Sequence, residues 1–140
     1  MSESDRIDDI REQKRRELLE TETGEETDAS TGVGVPDEPI HVDGASEFDR
    51  LTADHDVVFV DFYADWCGPC KQLEPTVEQL AAETDAAVLK VDIDANQQIA
   101  ARHGVRSVPT MVLFADGEPA EQVVGVRGAD RLGDLIRQYT

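Results

Sequence analysis

The two cysteines of this 140-residue chain lie in one hexapeptide, Trp66-Cys67-Gly68-Pro69-Cys70-Lys71, with two residues between them. Sulfurs at positions i and i+3 of a helix share a face, with Cβ atoms about 5–6 Å apart. A small adjustment joins or parts them, and the bond can cycle without refolding. The pattern points to thiol–disulfide chemistry. Amide N–H groups at a helix N-terminus are unpaired and carry about half a positive charge, so a thiolate placed there is stabilised and its pKa falls. Cys67 is expected to be the outer, nucleophilic sulfur. Cys70, inside the first turn and less exposed, is expected to attack any mixed disulfide formed on Cys67 and so resolve it. Pro69 is tolerated because its missing N–H falls in that first turn, and it stiffens the loop between the sulfurs. Neither Gly68 nor Pro69 offers a side-chain donor to the thiolate, which leaves the pair comparatively reducing.

Such a site needs a strand running into a helix. Val57-Val58-Phe59-Val60-Asp61-Phe62-Tyr63 is β-branched and aromatic, and Leu73, Val77 and Leu80 recur at helical spacing. From Ile40 onward the pattern reads βαβαβ, then a hairpin and a last helix. Ser46 is expected to cap the first helix, Asp94 to cap one ended by Gly104, and Asp116-Gly117 to form a tight hairpin turn. Leu132, Leu135, Ile136 and Tyr139 form the apolar stripe of the last helix. Parallel strands joined by crossover helices, with one antiparallel hairpin, give an α/β fold: a central mixed sheet with helices on both faces.

With these landmarks in hand, the chain from about residue 40 to residue 140 resembles the thioredoxin family, and each landmark arrives in family order. Asp61 stands six residues before Cys67, like the family's buried acid, and Pro75 five after Cys70, like the proline inside the active-site helix. Lys90 matches the lysine that approaches that acid. Val108-Pro109-Thr110 resembles the cis-proline loop facing the disulfide, and Gly125 a glycine on the substrate-binding rim. Tyr63 departs from the pattern, since many members carry a second tryptophan there. The resemblance implies a thioredoxin fold and a protein-disulfide reductant with no cofactor beyond its own dithiol. It also implies disulfide-containing targets, a thioredoxin reductase as electron source, and a monomer. Trp66, Gly68, Pro69, Val108, Pro109 and Gly125 would contact substrate. In cis, Pro109 would turn the Val108 backbone toward the disulfide and offer an extended target segment short β-strand pairing.

Each site residue also has a plainer reading. Asp61 could be a solvent-facing acid near a strand end, but a strand covered on both faces has no such side. Buried, it should have a raised pKa and could take the proton from Cys70 through water. Strand alternation puts Lys90 with Val88 and Asp92, which leaves open either an exposed lysine or one that tunes Asp61. Trp66, next to Cys67, is read as a partly exposed contact surface. His41, His55 and His103 are expected at the surface, since no pair has metal-ligand spacing. A zinc site on Cys67 and Cys70 lacks its other two ligands. A redox-switched binding module and a disulfide oxidase or isomerase remain as alternatives to the reductant. The oxidase or isomerase is disfavoured by the Gly-Pro pair and by the lack of an export signal.

Composition frames these readings. Of 140 residues, 39% are apolar, enough for one modest core. The first 30 residues hold no apolar run like that of a signal peptide, and no stretch is long enough to cross a membrane, so the expected location is the cytoplasm. Acids number 31 against 13 bases, a net −18, with lysine only at positions 14, 71 and 90. That surface repels phosphate and excludes nucleic acid as a partner. An acid-rich, lysine-poor surface resembles proteins of salt-loving cells, where molar salt screens self-repulsion. Residues 1–39 carry 13 of the acids and 5 of the bases. They read as a largely disordered extension, with possible transient helix around Ile7, Ile10 and Leu18; residues 40–140 read as the folded domain.

Two outcomes are expected. The thermal midpoint should climb from low salt to molar KCl as repulsion is screened, and a flat profile would return the acidity to a plain solubility role. A protein lacking residues 1–39 should fold and reduce a small disulfide at nearly the full-length rate, because that segment is too polar to bury surface against the domain. A large fall in midpoint or rate on truncation would mean that it docks.

Overall fold

A computed structural model describes residues 34–140. The expected helix around Ile7, Ile10 and Leu18, and nearly all of the 1–39 extension, lie outside the described residues. The elements run β1 (Ile40–His41), α1 (Ala45–Asp54), β2 (Val57–Tyr63), α2 (Gly68–Glu83), β3 (Ala87–Asp92), α3 (Gln97–Arg102), β4 (Thr110–Ala115), β5 (Glu118–Val124) and α4 (Ala129–Arg137). They form a five-stranded sheet ordered β1-β3-β2-β4-β5. β1, β3 and β2 are parallel, while β4 runs antiparallel to β2 and β5 to β4. This is the mixed α/β sheet the sequence pattern calls for.

β2 lies between two neighbours and is buried on both faces, which is why it reads as a nearly unbroken apolar run. Its period of two sorts the core. Val58, Val60 and Phe62 pack with Phe48 and Leu51 of α1 and Ile99 of α3 on one side of the sheet. Val57 and Phe59 pack with Leu73, Val77 and Leu80 of α2 and Leu132 and Ile136 of α4 on the other. Asp61 continues the second series, so alternation puts a carboxylic acid on the face covered by α2. The hairpin between β4 and β5 turns at Asp116 (φ 53°) and Gly117 (φ 84°), the type I′ pattern the Asp-Gly pair announces.

Three local expectations are corrected. Gly44, not Ser46, stands at the N-cap of α1; the Asp43 N–H donates to Glu47 Oε1 at 2.7 Å, so a first-turn glutamate reaches back instead. Asn96, not Asp94, stands at the N-cap of α3. The Asn96 side chain makes no cap bond there: its Oδ1 accepts from the Gly44 N–H at 2.9 Å and its Nδ2 donates to the Asp92 carbonyl at 3.1 Å, tying the loop after β1 to the end of β3. Of the three histidines expected at the surface, only His41 is exposed; His55 and His103 are half-buried. The His103 ring lies 5.5 Å from that of Phe48, 5.3 Å from Phe114 and 6.2 Å from Phe62. Four residues after the buried Ile99, it shares that residue's inward face. Burial pushes its pKa down, helped by Arg102 and opposed by Asp49.

Candidate active site

The end of β2 and the start of α2 are joined by a four-residue turn that places Cys67 at the helix N-cap. The turn is held by the Cys67 N–H donating to the Ala64 carbonyl at 3.1 Å and the Ile93 N–H donating to the Tyr63 carbonyl at 2.9 Å. Cys67 and Cys70 form a disulfide with Cα atoms 5.3 Å apart. The Cys70 N–H donates to Cys67 Sγ at 3.1 Å, so one unpaired amide of the helix start is aimed at the outer sulfur. A donor placed in this way favours negative charge on the sulfur it faces. The expected difference in exposure is absent: Cys67 is 4% exposed and Cys70 3%. What distinguishes the sulfurs in the oxidised protein is position on the helix. Pro69 falls in the first turn of α2, and Pro75 sits inside the helix, where it cannot donate to the Lys71 carbonyl.

Asp61 is fully buried on the face covered by α2. Neither of its oxygens has a hydrogen-bond partner among the described residues. Burial is the largest influence on its pKa, which is pushed up to about 6; the positive charge of Lys90 pulls it down and the negative charge of Glu74 raises it. Lys90 is paired with Asp61 in the parallel register of β2 and β3, and it is buried, so the exposed reading of this lysine falls away. Its ammonium does not reach Asp61. It sits 4.5 Å from the centre of the Tyr63 ring, with Nζ 3.5 Å from Glu74 Oε2.

Around the disulfide lies a short rim. Ala64, Cys67 and Cys70 form one buried cluster against which Tyr63, Ile93 and Val108 pack. The Val108–Pro109 bond is cis. The Pro109 carbonyl accepts from the Gly125 N–H at 2.9 Å, which fastens the proline loop to the end of β5. Gly125 has φ 94°, where a side chain is strained, and a Cβ there would come within 3.2 Å of Arg127. Trp66 is 69% exposed, and its Nε1–H donates to Asp94 Oδ2 at 2.9 Å. Gly68 and Pro69 are exposed beside it, and Val124 and Val126 are exposed at the far edge.

Four of these neighbours are not anticipated by the sequence pattern. Asp94 and Glu74 are two acids among 31, and nothing local marks either one for this place; only packing brings Asp94 to Trp66 and Glu74 to Lys90. Val124 and Val126 flank Gly125, and their one signal is an apolar pattern that continues past a strand end. Among the described residues, no group of three or more His, Cys, Asp or Glu side chains is arranged to hold a metal ion. Among them, too, no helix is long and apolar enough to cross a membrane.

Known proteins share this arrangement of sequence and fold. Residues 39–138 match the thioredoxin family. A thioredoxin of Staphylococcus epidermidis is 42% identical over 96 residues, which span 67% of this chain and 91% of that protein. A solved mutant thioredoxin from Halobacterium salinarum is 60% identical, with a TM-score of 0.75, covering 77% of this chain and 96% of that one. A third structure, described as the basis of thiol resolving in yeast mitochondrial 1-Cys peroxiredoxin via glutathione/thioredoxin systems, is 32% identical. Its TM-score is 0.65, and it covers 71% of this chain and 93% of that one.

The state of Asp61 is measurable through stability. Its carboxyl is raised from 3.8 to about 6 in the folded protein. The folded state therefore holds the proton more tightly than the unfolded chain. The benefit of the protonated form is full below the unfolded value and is lost as pH rises through the folded one. Asp61→Asn, which removes the buried charge, should accordingly be more stable than wild type by roughly 2–3 kcal/mol at neutral pH, with most of that gain vanishing in acid. Urea unfolding at a series of pH values measures it. A stability difference that does not change with pH would mean that Asp61 is not the titrating group.

Proposed function

We propose how the residues of this chain divide the work, from the premise that it belongs to the thioredoxin family and is a thiol–disulfide oxidoreductase. Cys67, as a thiolate, attacks one sulfur of a target disulfide. A Cys67–target mixed disulfide forms, and the other target sulfur leaves as a thiolate. Cys70 then gives up its proton and attacks Cys67 Sγ. The Cys67–Cys70 disulfide closes, the second target sulfur leaves, and two electrons have passed to the target. The observation that carries this order is the Cys70 amide aimed at Cys67 Sγ, which singles out one sulfur of the pair for charge stabilisation.

Asp61 accepts the proton of Cys70 through an intervening water. A carboxyl near pH 6 suits that task, since it is ionised at neutral pH yet basic enough to accept a proton. Lys90 tunes it by charge. Trp66, Gly68, Pro69, Val108, Pro109 and Gly125 form the rim on which an extended target segment lies, an arrangement supported by the exposure of Trp66 and by the bond joining the Pro109 loop to Gly125. A thioredoxin reductase returns the electrons, the dithiol needs no cofactor, the protein works as a monomer, and the reducing direction fits the cytoplasm. Residues 40–140 hold all of these groups.

The two sulfurs should respond differently to substitution. Cys67→Ser should not react with a disulfide substrate, whereas Cys70→Ser should attack once and accumulate a covalent mixed disulfide detectable by mass spectrometry. Trapping by Cys67→Ser instead, or normal turnover by Cys70→Ser, would reverse or remove the assignment.

A further inference from the structure

Asp61 and Lys90 are paired in register on adjacent strands and point to the same face of the sheet, so an ion pair between them is the arrangement their positions suggest. The structure holds another. Lys90 Nζ lies 3.5 Å from Glu74 Oε2 and over the Tyr63 ring, while both Asp61 oxygens are without a hydrogen-bond partner among the described residues. Glu74 belongs to α2, one turn after Cys70, and its side chain is 49% exposed against 8% for that of Lys90. It anchors the ammonium at the outer edge of the buried face.

We propose that Glu74 is a positioning residue for the redox reaction: it draws the Lys90 ammonium away from Asp61 and so keeps the Asp61 carboxyl unpaired and available to the proton of Cys70. This rests on Asp61 as the proton acceptor described above. The elements packed on this face carry these groups: Glu74 on α2, whose Lys71, Glu78 and Glu83 are exposed; Lys90 on β3, with Asp92 two residues beyond it; and Tyr63 on β2 itself. β4 carries no ionisable residue, and the charged residues of α4, Asp130, Arg131, Asp134 and Arg137, are all exposed. Of these groups, Lys90 and Glu74 are the charges that act on Asp61, and with opposite sign. Neutralising Glu74 therefore works in one direction by two routes. It frees Lys90 to lean toward Asp61, and it removes a negative charge from the neighbourhood; both favour the ionised form.

The test is a carbon-13 titration of the Asp61 carboxyl in the oxidised full-length protein, paired with the pH profile of mixed-disulfide resolution. In Glu74→Gln the Asp61 midpoint should fall by about half a pH unit or more, and the resolution profile should move to lower pH with it. In a Lys90→Gln background the same Glu74→Gln change should lose at least half of that shift, because the ammonium it positions is gone. An unmoved midpoint in Glu74→Gln overturns the proposal, as does an equal shift with and without Lys90. If Asp61→Asn resolves mixed disulfides as fast as wild type, the proton-acceptor reading fails instead. The carboxyl titration still decides separately whether Glu74 controls Asp61.

Discussion

A helix cannot begin without leaving its first amide N–H groups unpaired, and in this chain that constraint is placed at a cysteine. β2 is held between β3 and β4 and buried on both faces, so its exit point is fixed by the sheet. The short turn that follows is pinned at Ala64 and at Tyr63, and it delivers Cys67 to the N-cap of α2. One amide of the helix start then meets Cys67 Sγ. The second cysteine, the first-turn proline and the cluster of Ala64, Cys67 and Cys70 all depend on that junction being in one place. A strand that slipped by one residue would turn Asp61 to the opposite face and carry the helix start with it.

The same rigid sheet imposes a cost. Asp61 occupies a core position beside Phe59 and Val57 in strand alternation, without a hydrogen bond, and an unpaired carboxylate in such a place destabilises the fold. A lysine is also buried one strand away and yet is bound elsewhere, over a tyrosine ring and beside a half-exposed glutamate. A direct Asp61–Lys90 pair would relieve the acid and lower its affinity for a proton. The arrangement present instead leaves Asp61 with a carboxyl pushed up to about 6, at a cost in stability above that pH.

Outside the buried groups, the rim is small and built mostly from backbone and apolar atoms. Trp66 is oriented by Asp94, and Val124 and Val126 stand at the other edge. Few directional side-chain groups are displayed there. The rest of the surface is acidic. The exposed ion pairs Arg50–Asp54, Arg102–Asp49 and Arg137–Asp134 each contribute little in water, and most carboxylates among the described residues have no ion-pair partner.

Much of the fold and the redox pair is legible in the sequence alone, because it depends on local rules. The Cys67–Cys70 spacing, the apolar run of β2, the Asp116-Gly117 turn and the stripe on α4 are short-range signals, and each leads to the right element and to the mixed sheet. The burial of Asp61 follows as well, since a two-faced strand has no wet side. Capping is less legible: Ser46 and Asp94 are good cap residues, but the positions are taken by Gly44 and Asn96, and Asn96 serves contacts more than fifty residues away in the chain. His103 is one more polar residue in the sequence, and only folding closes three aromatic rings from distant segments around it. Glu74 carries no mark at all, and Asp94 none for the place it takes beside Trp66. Spacing and alternation determine which face a side chain takes; which partner waits on that face is decided only when helices and strands remote in sequence pack together, and so the charges set around Asp61 belong to the tertiary structure.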